Sequence, residues 1–144
     1  MIAIICVDDA GGMRFNRRRQ SRDRGVTEDI LRICDGGVLR IHPFSEKLFI
    51  PALGSAENVS DVQIVCEEQF LEVAGEGEYC FVENADLKPY LSKLEKLILY
   101  KWNRTYPADQ YFDVDLERWE KAESVDIRGN SHDRITRDIY VRGE

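Results

Sequence analysis

The stretch Tyr79-Cys80-Phe81-Val82-Glu83-Asn84-Ala85-Asp86-Leu87-Lys88-Pro89-Tyr90-Leu91-Ser92-Lys93-Leu94-Glu95-Lys96-Leu97-Ile98-Leu99-Tyr100-Lys101-Trp102 decides the fold. Its first four residues form an apolar run, the pattern of a strand covered on both faces. Leu87, Tyr90 and Leu91 then fall at the spacing of a helical turn, and Lys96 to Trp102 reads as a second strand. Such alternation builds a parallel sheet with helices packed on it.

Toward the N-terminus the alternation continues. Ile2 to Val7 is a continuous apolar run rich in β-branched residues, so it predicts a further strand buried on both faces. Thr27 can cap a helix whose first turn holds Glu28 and Asp29; Ile30, Leu31 and Ile33 supply its apolar side, and Gly36-Gly37 end it. Val38 to Ile41 reads as a strand, Pro43 opens a short helix over 44–49, and residues 50–61 read as a loop. Val62 to Cys66 is a strand and Glu67 to Ala74 a helix closed by Gly75. Beyond Trp102 the helices stop. Gln110 to Phe112, Trp119 to Val125 and Ile135 to Val141 predict strands that pair antiparallel at one edge of the sheet. The whole is one α/β domain over residues 1–144.

Composition narrows the function. With 43% hydrophobic and 33% charged residues the chain matches an ordinary globular protein, and no apolar run approaches the ~20 residues of a membrane span. The first strand meets Asp8-Asp9 without a basic leader, so it reads as structure and the expected location is the cytoplasm. Cysteines at 6, 34, 66 and 80 lack metal-binding spacing and predict reduced thiols without a zinc site. With two histidines, the clustered His-x-His-x-Asp-His motif of metallo-hydrolases cannot be assembled. The net charge of −7 hides an asymmetry: residues 14–24 carry +5, against −12 for the rest. A general polyanion surface is therefore disfavoured, RNA included, while a local anion site is open.

That basic segment, Gly11-Gly12-Met13-Arg14-Phe15-Asn16-Arg17-Arg18-Arg19-Gln20-Ser21-Arg22-Asp23-Arg24, follows the first strand. Paired glycines permit a sharp turn there. Guanidinium groups of Arg17, Arg18, Arg19 and Arg22 suit bidentate contact with phosphate or carboxylate, and Phe15 can stack on a ring. Asp8 lies at the carboxyl edge of the sheet, where open α/β folds place their ligands. Against this stands a simpler role, a solvated loop paired with acidic surface or with a second subunit.

Several pieces in order resemble the dihydrofolate reductase family. Tyr79–Val82, a short helix ending near Leu91 and Leu94–Leu99 look like its late strand–helix–strand unit. Asp109-Gln110-Tyr111-Phe112-Asp113 followed by Leu116-Glu117-Arg118-Trp119-Glu120 is similar to its acid, aromatic pair and tryptophan. Gly12-Met13 with Asn16 resembles its opening motif. The resemblance covers most of the chain and implies a three-layer dihydrofolate-reductase-like fold, with a mostly parallel central sheet and an antiparallel C-terminal hairpin edge.

The departures bear on activity. The family places adjacent glycines after the strand matching Tyr79–Val82, so that backbone amides approach the cofactor diphosphate. Glu83-Asn84-Ala85 stand there instead, and no Arg or Lys occurs around His42-Pro43-Phe44, where the family's basic cofactor contacts fall. The resemblance implies Asp23 as the substrate-side acid, with Glu28 or Asp29 in its place if the register slips, and Tyr100 where the family has the acid's threonine partner. The leading expectation is a protein without cofactor or reductase activity that binds an anionic small molecule or a protein partner through the 11–24 segment. The alternative is a divergent NADPH-dependent reductase acting on a pterin or flavin-like ring, with Asp23 and Tyr100 catalytic.

Overall fold

The computed structural model describes residues 1–54, 56, 59 and 61–143; of the loop expected over 50–61, Ser55, Glu57, Asn58 and Ser60 lie outside the described residues. The chain opens with β1 (Ile2–Val7), then a hairpin of β2 (Gly12–Phe15) and β3 (Arg18–Arg19), and α1 (Arg24–Ile33). β4 (Val38–Ile41), α2 (Glu46–Leu53), β5 (Gln63–Cys66), the single-turn α3 (Phe70–Val73) and β6 (Tyr79–Phe81) follow. β7 (Lys96–Lys101), β8 (Gln110–Tyr111), β9 (Trp119–Ile127) and β10 (Ile135–Arg142) complete it. Seven strands form one sheet in the order β5-β4-β6-β1-β7-β10-β9. Its first five members are parallel, while β10 and β9 add an antiparallel edge, so the α/β architecture expected from the alternation is the one observed.

β1 sits at the centre because both of its faces are apolar. Ile2 and Ile4 pack with Val26, Ile30 and Leu31 of α1 and Phe49 of α2. Ala3, Ile5 and Val7 face the other way, against Phe70, Leu71, Val82 and Leu87. The period of two thus feeds two cores from one strand. β9 is the opposite case. Residues 120–126 are exposed along it, and its Glu, Lys and Asp side chains guard the open edge against pairing with another chain. No helix among the described residues is long and apolar enough to cross a membrane.

Several local expectations change: α1 starts at Arg24 behind an Asp23 cap, with Thr27 inside it, and the helix expected over 67–74 is the single turn of α3. The basic segment is not an open loop: Arg14 pairs with Arg19 and Phe15 with Arg18 around a tight turn at Asn16-Arg17, both with positive φ (50° and 62°). That backbone is the one a two-residue hairpin turn requires, and asparagine tolerates it well. β8 pairs with β2 in a separate three-stranded sheet and does not join the C-terminal hairpin. α2 runs through Pro51 to Leu53, because burial of Phe49 and Ala52 outweighs the amide that proline lacks.

The turn after β1 is fixed by Asp8. Its carboxylate accepts from the amides of Ala10 (2.9 Å), Gly12 (2.7 Å) and Tyr106 (3.1 Å) and from Gln20 Nε2 (3.1 Å). Burial works against the charge, but these donors together hold the Asp8 carboxyl below its ordinary range. Gly12 is wedged in the same spot. A Cβ there would lie 2.6 Å from both Ala108 Cβ and Gln20 Nε2, and 2.9 Å from Asp8 Oδ2. Gly12→Ala is expected to cost at least ~2 kcal/mol in thermal or denaturant melts. Gly54→Ala, whose new Cβ meets nothing within 4 Å, should stay within ~0.5 kcal/mol of the parent.

Candidate functional site

Glu83 follows β6 at the carboxyl edge of the sheet and is 9% exposed. A carboxylate in that position needs donors, and three arrive from two different elements. Arg19 of β3 clamps it with Nε at 2.8 Å and a terminal nitrogen at 3.0 Å, while Ser45 Oγ donates at 2.7 Å from the turn that opens α2. The bond to Glu83 raises the Arg19 guanidinium above its ordinary value, despite partial burial. The same guanidinium donates to the Phe44 carbonyl (3.2 Å) and lies 5.0 Å from the centroid of the Phe44 ring. Beside it, Asn84 Nδ2 is 3.3 Å from His42 Nδ1, and the buried Asn84 Oδ1 has no partner among the described residues.

Asp23 anchors a second network. It caps α1 by accepting from the Gly25 amide (2.7 Å), and it reaches across to the turn between β9 and β10. There it accepts from the amides of Asn130 (2.7 Å), Ser131 (2.8 Å) and His132 (3.1 Å), from Ser131 Oγ (3.0 Å), and lies 3.0 Å from His132 Nδ1. Burial pushes the Asp23 carboxyl up, but the Asn130, Ser131 and Gly25 amides and the His132 side chain overcome this and hold it far below the carboxylate range. Gly129 makes the approach feasible: a Cβ there would stand 2.6 Å from Asp23 Oδ2. On its other side, His132 Nε2 is 3.2 Å from Ser21 Oγ and 3.0 Å from Tyr106 Oη. The imidazole stacks on Trp102 with centroids 4.8 Å apart.

Between the two networks lies a narrow cavity of about 20 Å³, lined by Cys6, Arg19, Ser21, Asp23, Glu83 and Trp102 among others. It shares Arg22, Asp23, Thr27 and Leu48 with an open cleft of about 360 Å³ between α1 and α2. Arg22, Arg24 and Lys47 stand on that cleft, above Leu48, Pro51 and Ala52. Burial, reinforced by Glu83, pushes the Cys6 thiol well above its ordinary value, so it remains protonated and unreactive.

The residues singled out from sequence fall into separate groups. Arg22 lines both cavities, whereas Arg19 is consumed by Glu83 and Asp8 by the turn it organises. Phe15, Arg17 and Arg18 are exposed at the hairpin tip. Asp23 and Tyr100 are not brought together. The partner of buried Tyr100 is Asp29, which accepts its hydroxyl at 2.6 Å and an Arg137 nitrogen at 2.8 Å. Burial and the Asp29 charge raise the Tyr100 hydroxyl well above its ordinary value. No group of three or more His, Cys, Asp and Glu side chains suited to a metal ion occurs among the described residues. Ser21, Ser45, Lys47 and the pairing of His132 with Asp23 carried no signal in the sequence, since partners such as Asp23 and His132 stand 109 positions apart.

A carboxylate depressed in the folded state stabilises the fold above its unfolded pKa, and that contribution fades as pH falls toward the folded one. Asp23→Asn should therefore lose at least ~2 kcal/mol at neutral pH. It should also show a shallower loss of stability than the parent between about pH 5 and pH 2, measured by chemical denaturation.

No family model matches the sequence, and no curated relative does. Solved structures do. Dihydrofolate reductase from Enterococcus faecalis, complexed with NADP(H) and RAB-propyl, superposes with a TM-score of 0.66. The match covers 99% of this chain and 96% of that one at 14% identity. The mostly parallel central sheet and the antiparallel C-terminal edge agree with that likeness, and the chain has a dihydrofolate-reductase-like fold.

Proposed function

We propose that this chain is a binding protein without reductase activity, and that it receives an anionic small molecule in the cleft between α1 and α2. The supporting observation is the closure of the sheet edge by Arg19, Glu83 and Ser45. A dinucleotide diphosphate resting after β6 would need exposed backbone amides. It would meet a buried carboxylate already saturated by the cation and hydroxyl that an incoming phosphate would use. These residues do not fit that group.

The anion site is then displaced toward Arg22. Arg22, Arg24 and Lys47 surround an apolar floor, an arrangement that suits a small carboxylate, sulfonate or phosphate carrying a ring or short chain. Exposed Phe15, Arg17 and Arg18 at the hairpin tip line other hollows, with Tyr106 and Pro107 or with Asn84 and Asp109. Recognition is of charge plus apolar contact and requires no redox cofactor.

The second reading is a divergent NADPH-dependent reductase. Its support is the likeness to a reductase solved with NADP(H). For that reading the Arg19–Glu83 pair would have to open.

Anilinonaphthalene sulfonate, an aromatic anion, serves as the probe. Its fluorescence is expected to saturate with the parent, and the double variant Arg22→Ala with Lys47→Ala is expected to lose that binding at an unchanged melting temperature. NADPH is expected not to bind in a fluorescence titration; saturable micromolar binding would favour the reductase. Glu83→Ala frees Arg19 and Ser45 together, so inorganic pyrophosphate should bind that variant and not the parent in calorimetric titration.

A further inference from the structure

Ser21, His132 and Asp23 form a continuous hydrogen-bonded chain. Ser21 Oγ is 3.2 Å from His132 Nε2, and His132 Nδ1 is 3.0 Å from Asp23 Oδ2. We propose that this chain is a nucleophilic serine site that hydrolyses small esters whose acid or alcohol part carries a negative charge.

The roles follow from the atoms. Asp23 accepts four amide bonds in all, so it stays an anion and can only accept from the imidazole. That fixes the proton on Nδ1 and turns the Nε2 lone pair toward Ser21. Trp102, 4% exposed, covers one face of the ring and Gly129 lets the turn approach, so the imidazole is held rigidly. Ser21 is half-buried on the wall of the narrow cavity and directly precedes Arg22 and Asp23, which line both that cavity and the α1–α2 cleft. Ser131 lies on the Nδ1 side, its hydroxyl oxygen 3.0 Å from Asp23 Oδ2 and 3.3 Å from the Arg22 carbonyl as alternative acceptors, and is excluded as nucleophile by that geometry. Arg22, on the walls of both cavities, is the cation available to a developing oxyanion.

In the step, Ser21 Oγ adds to the ester carbonyl while its proton passes to His132 Nε2. Collapse of the tetrahedral adduct expels the alcohol oxygen, which takes that proton. Water then adds to the acyl-serine by the same route, its proton passing through Nε2 back to Ser21 Oγ as the acid leaves. Ser21 and His132 are the catalytic residues and Asp23 a positioning residue. Tyr106, whose hydroxyl shares Nε2 at 3.0 Å, is the competing donor that a substrate would have to displace.

The inference rests on the anion-binding cleft for the charge of the substrate, but not for its nucleophile. A neutral alkyl fluorophosphonate therefore tests the serine alone. Intact-mass analysis of the full chain is expected to show one phosphonyl adduct, and peptide mapping should place it on Ser21. Ser21→Ala, a small change at a half-buried loop position, should abolish the adduct with an unaltered melting temperature. His132→Gln should slow labelling by at least ~100-fold and remove its rise with pH. Acetylsalicylate hydrolysis should show the same dependence on Ser21, and the Arg22→Ala, Lys47→Ala variant should lose this turnover. Absence of labelling, labelling that persists in Ser21→Ala, or an adduct on Tyr106 would each overturn the proposal. Labelling of Ser21 in a protein that fails to bind anilinonaphthalene sulfonate would overturn only the charged cleft.

Discussion

A carboxylate buried at the carboxyl end of a central parallel strand obliges the rest of the site to form around it. Glu83 has lost most of its water, and an unpaired charge there would cost several kcal/mol. Arg19 and Ser45 compensate it, and each belongs to a different element. Pairing with Arg19 draws the β2–β3 hairpin over the sheet edge, and pairing with Ser45 draws in the start of α2. One side chain thereby sets the position of the basic segment, the orientation of the α2 turn and the narrowness of the cavity between them. The stacking of Phe44 beneath the Arg19 guanidinium adds apolar contact to the same clamp.

Asp23 plays the corresponding part on the other wall. It ties the N-terminus of α1 to the turn of the C-terminal hairpin, two segments that are remote in sequence and have no sheet pairing to join them. Its donors are mainly backbone amides, which cannot swing away as long side chains do. The result is rigid placement of His132 with one ring nitrogen committed and the other turned inward. Asp8 repeats the device at the end of β1, where one carboxylate gathers three amides and Gln20. Three acids thus build the scaffold, and Arg22, Lys47 and Arg24 (3.7 Å from Glu28) stand outside it on the α1–α2 cleft.

The fold was legible because its strongest signals are local. Apolar runs at 2–7 and 79–82 demand burial on both faces, and strand–helix alternation followed by hairpins leaves few ways to arrange a sheet. What was not legible has a common cause. The basic segment carries +5, and charge density alone reads as a solvated loop. Nothing local shows that Arg14 pairs with Arg19 or that Glu83 draws Arg19 inward. The extension of α2 past Pro51 was hidden by proline's low helix propensity, which the packing of Phe49 and Ala52 overrides. Likewise Tyr100 could be placed at a strand end, but its partner could not be chosen among Asp23, Glu28 and Asp29. The answer depended on helical phase: Asp29 lies on the buried side of α1, facing Arg137, while Asp23 caps the helix.

The Arg19–Glu83 clamp and the serine–histidine–aspartate hydrogen bonds are physically linked, because Arg19, Glu83, Ser21 and Asp23 line one narrow cavity. With Glu83 unpaired, that cavity would hold an uncompensated charge. Pairing Glu83 with Arg19 compensates it without adding net charge, and Trp102, Val26 and Phe81 supply apolar wall. In such surroundings the hydrogen bonds of His132 are less exchanged with solvent and the direction of its Nε2 is better defined. The clamp and the Asp23 network therefore act on one enclosed space, the first by compensating a buried charge and the second by holding a buried imidazole through backbone amides.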